Sequence, residues 1–191
     1  MAMRKITIGV TLLLVVALFV PFEVLAQQRS GTDGTGQLQI GAHMGLQEGT
    51  FDNNTAFALV FNADYFLDNH FSVGPLFQFG FTGDLTQVGI SMQSKYTFDL
   101  PKIPKVKPHL QGGLGFIHVD MDRPPVTPNG QDSDLAFLIP FGGGFDVELS
   151  KNLSIGSTLL LNFTDADIQS TDRNGVGNLF MTWIFGVRLM L

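Results

Sequence analysis

The chain contains no cysteine. A disulfide framework and a lipid-modified N-terminal cysteine are therefore excluded, and a secreted chain of this kind must draw its stability from packing or from a bilayer. Positive charge is scarce: 11 Lys and Arg stand against 17 Asp and Glu. That balance argues against a nucleic-acid partner, which selects basic surfaces. Trp and Tyr number one and two, while Phe reaches 18. Any apolar band must then be built mostly of Phe, since the Trp and Tyr that favour membrane interfaces are so few. Past residue 26 no apolar run approaches the roughly 20 residues that a membrane-crossing helix needs.

What is present starts at the N-terminus. Arg4 and Lys5 precede an almost unbroken apolar run from Ile6 to Val20, and Val24-Leu25-Ala26 then meets Gln27-Gln28. A basic start, a short apolar run and a small residue at a polar boundary make a secretory signal, with cleavage expected after Ala26. Arg4, Lys5 and Glu23 leave with it, so the net charge moves from −6 to −7. The expected organisation is a signal peptide at 1–26, a flexible polar leader at 27–36, and one domain at 37–191.

The last thirteen residues carry the strongest pattern. Leu179, Met181, Trp183, Phe185, Val187, Leu189 and Leu191 fill every odd position, and Thr182, Gly186 and Arg188 lie among the even ones. Side chains alternate faces along a strand, so this segment has one wholly apolar face. An exposed strand of this kind at the edge of a soluble sheet invites aggregation. A closed barrel in a bilayer has no edge and offers lipid to the apolar face.

The same period recurs along the chain. Strands are expected at about 37–46, 56–67, 71–81, 87–98, 109–121, 135–149, 153–163 and 179–191. The fifth loses its alternation beyond Ile117, and Pro75 in the third predicts a bulge or a gap, because proline cannot donate to a ladder. Eight is an even count, as single-chain outer-membrane barrels have. The fold class expected is all-β, an eight-stranded antiparallel up-and-down transmembrane β-barrel. Joins at 67–70, 99–107 and 150–152 are short or Pro/Lys-rich, and those at 47–55, 122–134 and 164–178 are longer and polar. Outer-membrane barrels keep short turns in the periplasm and long loops outside, so both termini are expected in the periplasm.

A weak repeat relates Leu67-Asp68-Asn69-His70-Phe71-Ser72-Val73-Gly74 to Leu149-Ser150-Lys151-Asn152-Leu153-Ser154-Ile155-Gly156. Common hairpin chemistry accounts for it equally well, since turns favour Asn, Asp and Ser. The segments Pro108-His109-Leu110-Gln111-Gly112-Gly113-Leu114-Gly115-Phe116 and Gly142-Gly143-Gly144-Phe145-Asp146-Val147-Glu148-Leu149 resemble those of the small outer-membrane β-barrel proteins of the OmpA/OmpX type. The final strand is similar to that family's C-terminal assembly signal, through Gly186, Leu189 and Leu191, although the terminal residue is not aromatic. The resemblance implies residence in a Gram-negative-type outer membrane among lipids and lipopolysaccharide. It also implies contact with the outer-membrane assembly machinery and periplasmic chaperones.

Charges on the inward face point to a closed lumen. Asp64, Lys95, Asp146, Glu148 and Arg188 all fall near the periplasmic ends of their strands on the non-lipid face. An eight-stranded barrel is only wide enough to be filled by side chains, and unpaired charge there is costly. A layer of ion pairs among these five is expected, within a polar core. Catalytic signals are thin: His118 and Asp120 share a strand face and could form a base–orienter pair, yet no Ser joins them in a recognisable motif. Asp165, Asp167 and Asp172 offer oxygen ligands without the spacing of a calcium loop. The run Pro101-Lys102-Ile103-Pro104-Lys105-Val106-Lys107-Pro108 reads as a stiff basic turn. No catalytic residue, metal or cofactor is expected. The function expected is structural or surface-interacting, through outer loops whose partner the sequence does not name. A lipid-modifying barrel enzyme, a narrow solute channel and a soluble ligand carrier are the alternatives.

Overall fold

The computed structural model describes residues 35–49, 55–83, 85–121, 133–166 and 179–191, apart from the side chain of Met121. The expected signal segment, most of the leader and the interiors of the longer loops, with Asp167 and Asp172, lie outside the described residues. Eight strands follow in chain order: β1 (Leu38–Glu48), β2 (Ala56–Phe66), β3 (Phe71–Phe81), β4 (Leu85–Thr97), β5 (Val106–Met121), β6 (Ser133–Glu148), β7 (Leu153–Thr164) and β8 (Leu179–Met190). Each pairs antiparallel with the next, and β8 pairs with β1 to close a barrel.

Alternation decides which way each side chain points. In β4 every second residue is buried, from Leu85 through Gln87, Gly89, Ser91 and Gln93 to Lys95, while Val88, Ile90, Met92 and Tyr96 are exposed. The other strands repeat this, and Phe57, Phe61, Phe77, Phe116, Phe141 and Phe163 join an apolar exterior. Closure satisfies the backbone without water, and the apolar exterior suits hydrocarbon, so the architecture is that of a transmembrane barrel.

Register sets the tilt. The paired residues Leu38, Tyr65, Val73, Ser94, Gly112, Phe141, Leu161 and Met181 lead once around the wall and return to β1 at Glu48, ten residues beyond the start. This stagger inclines the strands by roughly 35–45° to the barrel axis. It also lifts or lowers each strand relative to its neighbours, so residues far apart in sequence reach a common level.

Proline leaves the expected mark. The β2–β3 ladder runs from Phe57↔Phe81 to Asn62↔Leu76, skips the pairs opposite Gly74 and Pro75, and resumes in the same register at Tyr65↔Val73. It is a gap and not a bulge. A second gap, between Gly112↔Phe141 and Gly115↔Leu138, lies beside Pro140 in β6. Both prolines keep ladder pairs with their other neighbour, to Met92 and Asn162.

Two expectations need correction. β5 starts at Val106, three residues earlier than the pattern indicated, and its alternation does persist: Ile117 and Val119 are buried while His118 and Asp120 are exposed. The phase was illegible because both faces are partly apolar there. The interior is also not polar throughout. Near the loop end it is filled by Leu85, Ile117, Val119, Ala136, Leu138, Ala166 and Phe180. A second cluster of Ala58, Val60, Leu76, Leu160 and Ile184 lies in the lumen below it. Polar side chains dominate toward the short-turn end, while buried Gln47, Gln87, Gln78, Asn162 and Thr182 lie among the apolar clusters above it.

Candidate functional site

The polar floor of the lumen is built by the even-numbered strands. Asp64, Lys95, Asp146 and Arg188 each stand two residues inside the turn end of β2, β4, β6 and β8. The stagger brings these equivalent positions to one level, with signs alternating around the lumen. Lys95 contacts Asp64 directly, and their side chains are 2% and 0% exposed. Arg188 contacts Asp146 in the same way. Glu148 does not join them: it is the last residue of β6 and is exposed at the mouth. Four of the five residues singled out by the sequence meet inside, and the fifth stays outside.

Other inward residues complete the site. Lys95 Nζ also donates to Gln39 Oε1 at 3.1 Å. Asp64 accepts from Gln93 Nε2 at 2.9 Å and from Asn62 Nδ2 at 2.8 Å. Asn62 Oδ1 in turn accepts from His43 Nε2 at 3.0 Å. On the opposite side Arg188 Nη2 donates to Thr158 Oγ1 at 3.1 Å, and Thr158 pairs with His109 Nε2 at the same distance. His109 Nδ1 lies 3.4 Å from Asp146 Oδ2, which closes a ring of four side chains. Asp64 thus has several hydrogen-bond partners, and Asp146 faces the Arg188 guanidinium, the pairing under which buried charge is tolerated. Higher up, Gln78 donates to Asn162 at 3.1 Å and Asn162 to Thr182 at 3.0 Å.

Sequence reasoning did not single out His43, His109, Asn62 or Thr158. Their inward parity was readable, but their level depends on the stagger. Glycine makes the space. A Cβ on Gly156 would lie 2.0 Å from Asp146 Oδ1 and 2.9 Å from Arg188 Nη1, and one on Gly186 would lie 2.4 Å from His43 Nδ1. Of the C-terminal residues named from sequence, Gly186 therefore faces the lumen, Leu189 faces outward, and Leu191 donates its N–H to the carbonyl of Leu38 at 2.8 Å.

Outside the lumen the short turns are tied by side chains. Asp68 Oδ1 accepts from the N–H groups of His70 and Phe71, both at 2.7 Å. These bonds hold its carboxyl below the usual range, the His70 amide first. Asp99 accepts from Lys107 Nζ at 2.7 Å and faces His70 Nε2 at 3.1 Å. Its carboxyl is lowered too, chiefly by the Lys107 hydrogen bond and then by His70. At the other end His118 and Asp120 are exposed on the outward face, opposite Val88 and Thr86 of β4. Among the described residues no group of three or more His, Cys, Asp or Glu is arranged to hold a metal ion.

Solved structures share this architecture. The chain aligns with the Neisserial surface protein A at a TM-score of 0.60 and 18% identity, over 80% of this chain and 95% of that one. The fold is that of the eight-stranded outer-membrane barrels. The N-terminal barrel domain of Pseudomonas aeruginosa OprF gives a TM-score of 0.55 at 14% identity, over 82% of this chain and 98% of that one. The attachment invasion locus protein of Yersinia pestis, Ail, gives 0.51 at 13%, over 81% and 97%. No family model and no curated protein matches the chain. At these identities the likeness is one of fold.

Proposed function

We propose that the protein is an integral outer-membrane barrel with a structural or surface-interaction role, carried by the connections at its loop end. The observation that supports this reading is the filled lumen. Two buried ion pairs close the floor, and above them apolar clusters interleave with hydrogen-bonded Gln47, Gln87, Gln78 and Asn162 side chains to occupy the lumen. An apolar stretch of lumen also repels water and ions. The machinery of the barrel is thus spent on closure, and what varies at its surface is the loops.

Charge distinguishes the two ends. Segments 49–55, 82–84, 122–132 and 165–178 between strands hold seven acidic and two basic residues, whereas 67–70, 98–105 and 149–152 hold two acidic and three basic. The long acidic connections face outward in this reading, and the short turns face the periplasm. Partners at the outer surface are then expected to be cationic or bridged by cations. Lipopolysaccharide and outer-leaflet lipid surround the band, and assembly machinery and chaperones handle the chain on its way there.

Two measurements test the proposal. In planar bilayers the folded protein is expected to show no conductance steps, and steady single-channel steps from the wild type would favour the channel. Replacing segment 122–132 by a short Gly/Ser turn should leave a heat-modifiable barrel while abolishing surface binding. Retention of that binding would remove the role from this loop.

A further inference from the structure

We propose that the β4–β5 turn, residues 98–105, is a membrane anchor selective for anionic phospholipid headgroups. The inference rests on the membrane reading above and extends it to one named lipid contact.

The turn pairs exposed apolar side chains with exposed lysines beyond the last ladder pair. Ile103 at its tip is 54% exposed and Phe98 at its base 40%. Phe98 meets Tyr96 edge to face at 5.0 Å, which joins the turn to the apolar exterior of β4. Lys102 and Lys105 flank Ile103 and are exposed, and among the described residues neither has an ion-pair partner. Lys107, by contrast, is taken by Asp99. The other two short turns each hold no more than one lysine.

The turn is also rigid. Ile103 N donates to Leu100 O and Val106 N to Ile103 O, both at 3.0 Å, and Glu148 N donates to Lys105 O at 2.9 Å. Pro101 and Pro104 restrict the backbone between them, and the Asp99 clamp holds the base. A preorganised tip loses little conformational freedom on contact. Ile103 can then enter the headgroup boundary while the lysine stems lie along it with their ammonium groups in the polar layer. Their preferred neighbour is a phosphate with no cation of its own, as in phosphatidylglycerol. Phosphatidylcholine, which carries a choline beside its phosphate, is disfavoured.

The absence of cysteine makes the test direct. Ile103→Cys in the full chain, labelled with an environment-sensitive dye, is folded into vesicles holding equal amounts of phosphatidylcholine and phosphatidylglycerol. Either lipid carries the headgroup nitroxide quencher in turn. Quenching is expected to favour the phosphatidylglycerol probe, by about fivefold for each lysine. Lys102→Gln with Lys105→Gln should erase the preference, and Arg at both positions should restore it. Equal quenching by both lipids, or a preference that survives the Gln pair, overturns the anchor. A dye left in water, on a barrel that still shows heat-modifiable mobility and a blue-shifted Trp183, overturns the anchor alone. Loss of those two signatures in the unlabelled wild type overturns the membrane reading and the anchor together.

Discussion

Asp64 and Asp146 are counterparts in two copies of one hairpin. Each stands three residues before a tight turn that begins with Leu67 or Leu149. In those turns Leu67 N donates to Phe71 O and Leu149 N to Leu153 O, both at 2.9 Å. Asp68 Oδ1 takes the amides of His70 and Phe71, as Ser150 Oγ takes those of Asn152 and Leu153. Each carboxylate then contacts a cation two strands further on, Lys95 or Arg188. The likeness of the two turns therefore extends to the ion pairs that their carboxylates make.

Breaking one pair should be severe. Arg188→Ala leaves Asp146 charged and nearly buried without its ion-pair partner, and a loss of up to about 3–5 kcal/mol is expected from such a change. Urea unfolding from vesicles, followed by loss of the heat-modifiable species, measures it. Replacing both partners, as Asp146→Leu with Arg188→Met, should cost clearly less, because no orphaned charge remains. Equal losses in the two variants would show that the pair contributes through shape alone.

The space at Gly156 is a second point of leverage. A Cβ there lies 2.7 Å from the carbonyl oxygen of Phe145 as well as against the ion pair, whereas Gly83 has open space around it. Gly156→Ala should destabilise by about 1–3 kcal/mol through overpacking, and Gly83→Ala should be near neutral. The same unfolding assay compares them. A neutral Gly156→Ala would mean that the β7 backbone yields freely.

Trp183 is the chain's one tryptophan, and it reports on the wall. Its Nε1 donates to Ser157 Oγ at 2.9 Å and its ring lies 4.9 Å from that of Phe185, on the exposed outer face. Emission should shift to the blue on insertion and be quenched by probes on the acyl chains. Ser157→Ala removes the acceptor, with an expected loss of about 0.5–1.5 kcal/mol. Quenching by aqueous iodide instead would put β8 in water.

Asp99 gives a pH prediction with a definite sign. Its folded carboxyl titrates below the ordinary value of 3.8, because Lys107 and then His70 bond to the charged form. The unfolded chain therefore binds more protons as pH drops through that value. The turn's stabilisation is full above the ordinary carboxylate range and is lost as pH falls through the folded value. A carboxyl-resolved NMR titration should place Asp99 low in the wild type and higher in Lys107→Met. An unchanged midpoint in that variant would exclude Lys107 as the cause.

His118→Ala separates the proposed role from a lipid-modifying one. Lipopolysaccharide from cells making either protein should carry the same acyl chains by mass spectrometry. A chain lost with the wild type and kept with the variant would establish an enzyme.

Period-two alternation alone placed eight strands, most of the outward apolar residues and the inward parity of Asp64, Lys95, Asp146 and Arg188. Parity is a local property, set by the pleat, so one residue's neighbours suffice to read it. Level is not local. It depends on the ten-residue stagger accumulated around the closed wall, and so only the tertiary structure decided that Asp64 meets Lys95, that Asp146 meets Arg188, and that Glu148 falls outside. Ile117, Val119 and Leu138 were unreadable for a related reason: where both faces are partly apolar, alternation carries no contrast. There the closed wall, by having an inside, assigns the face.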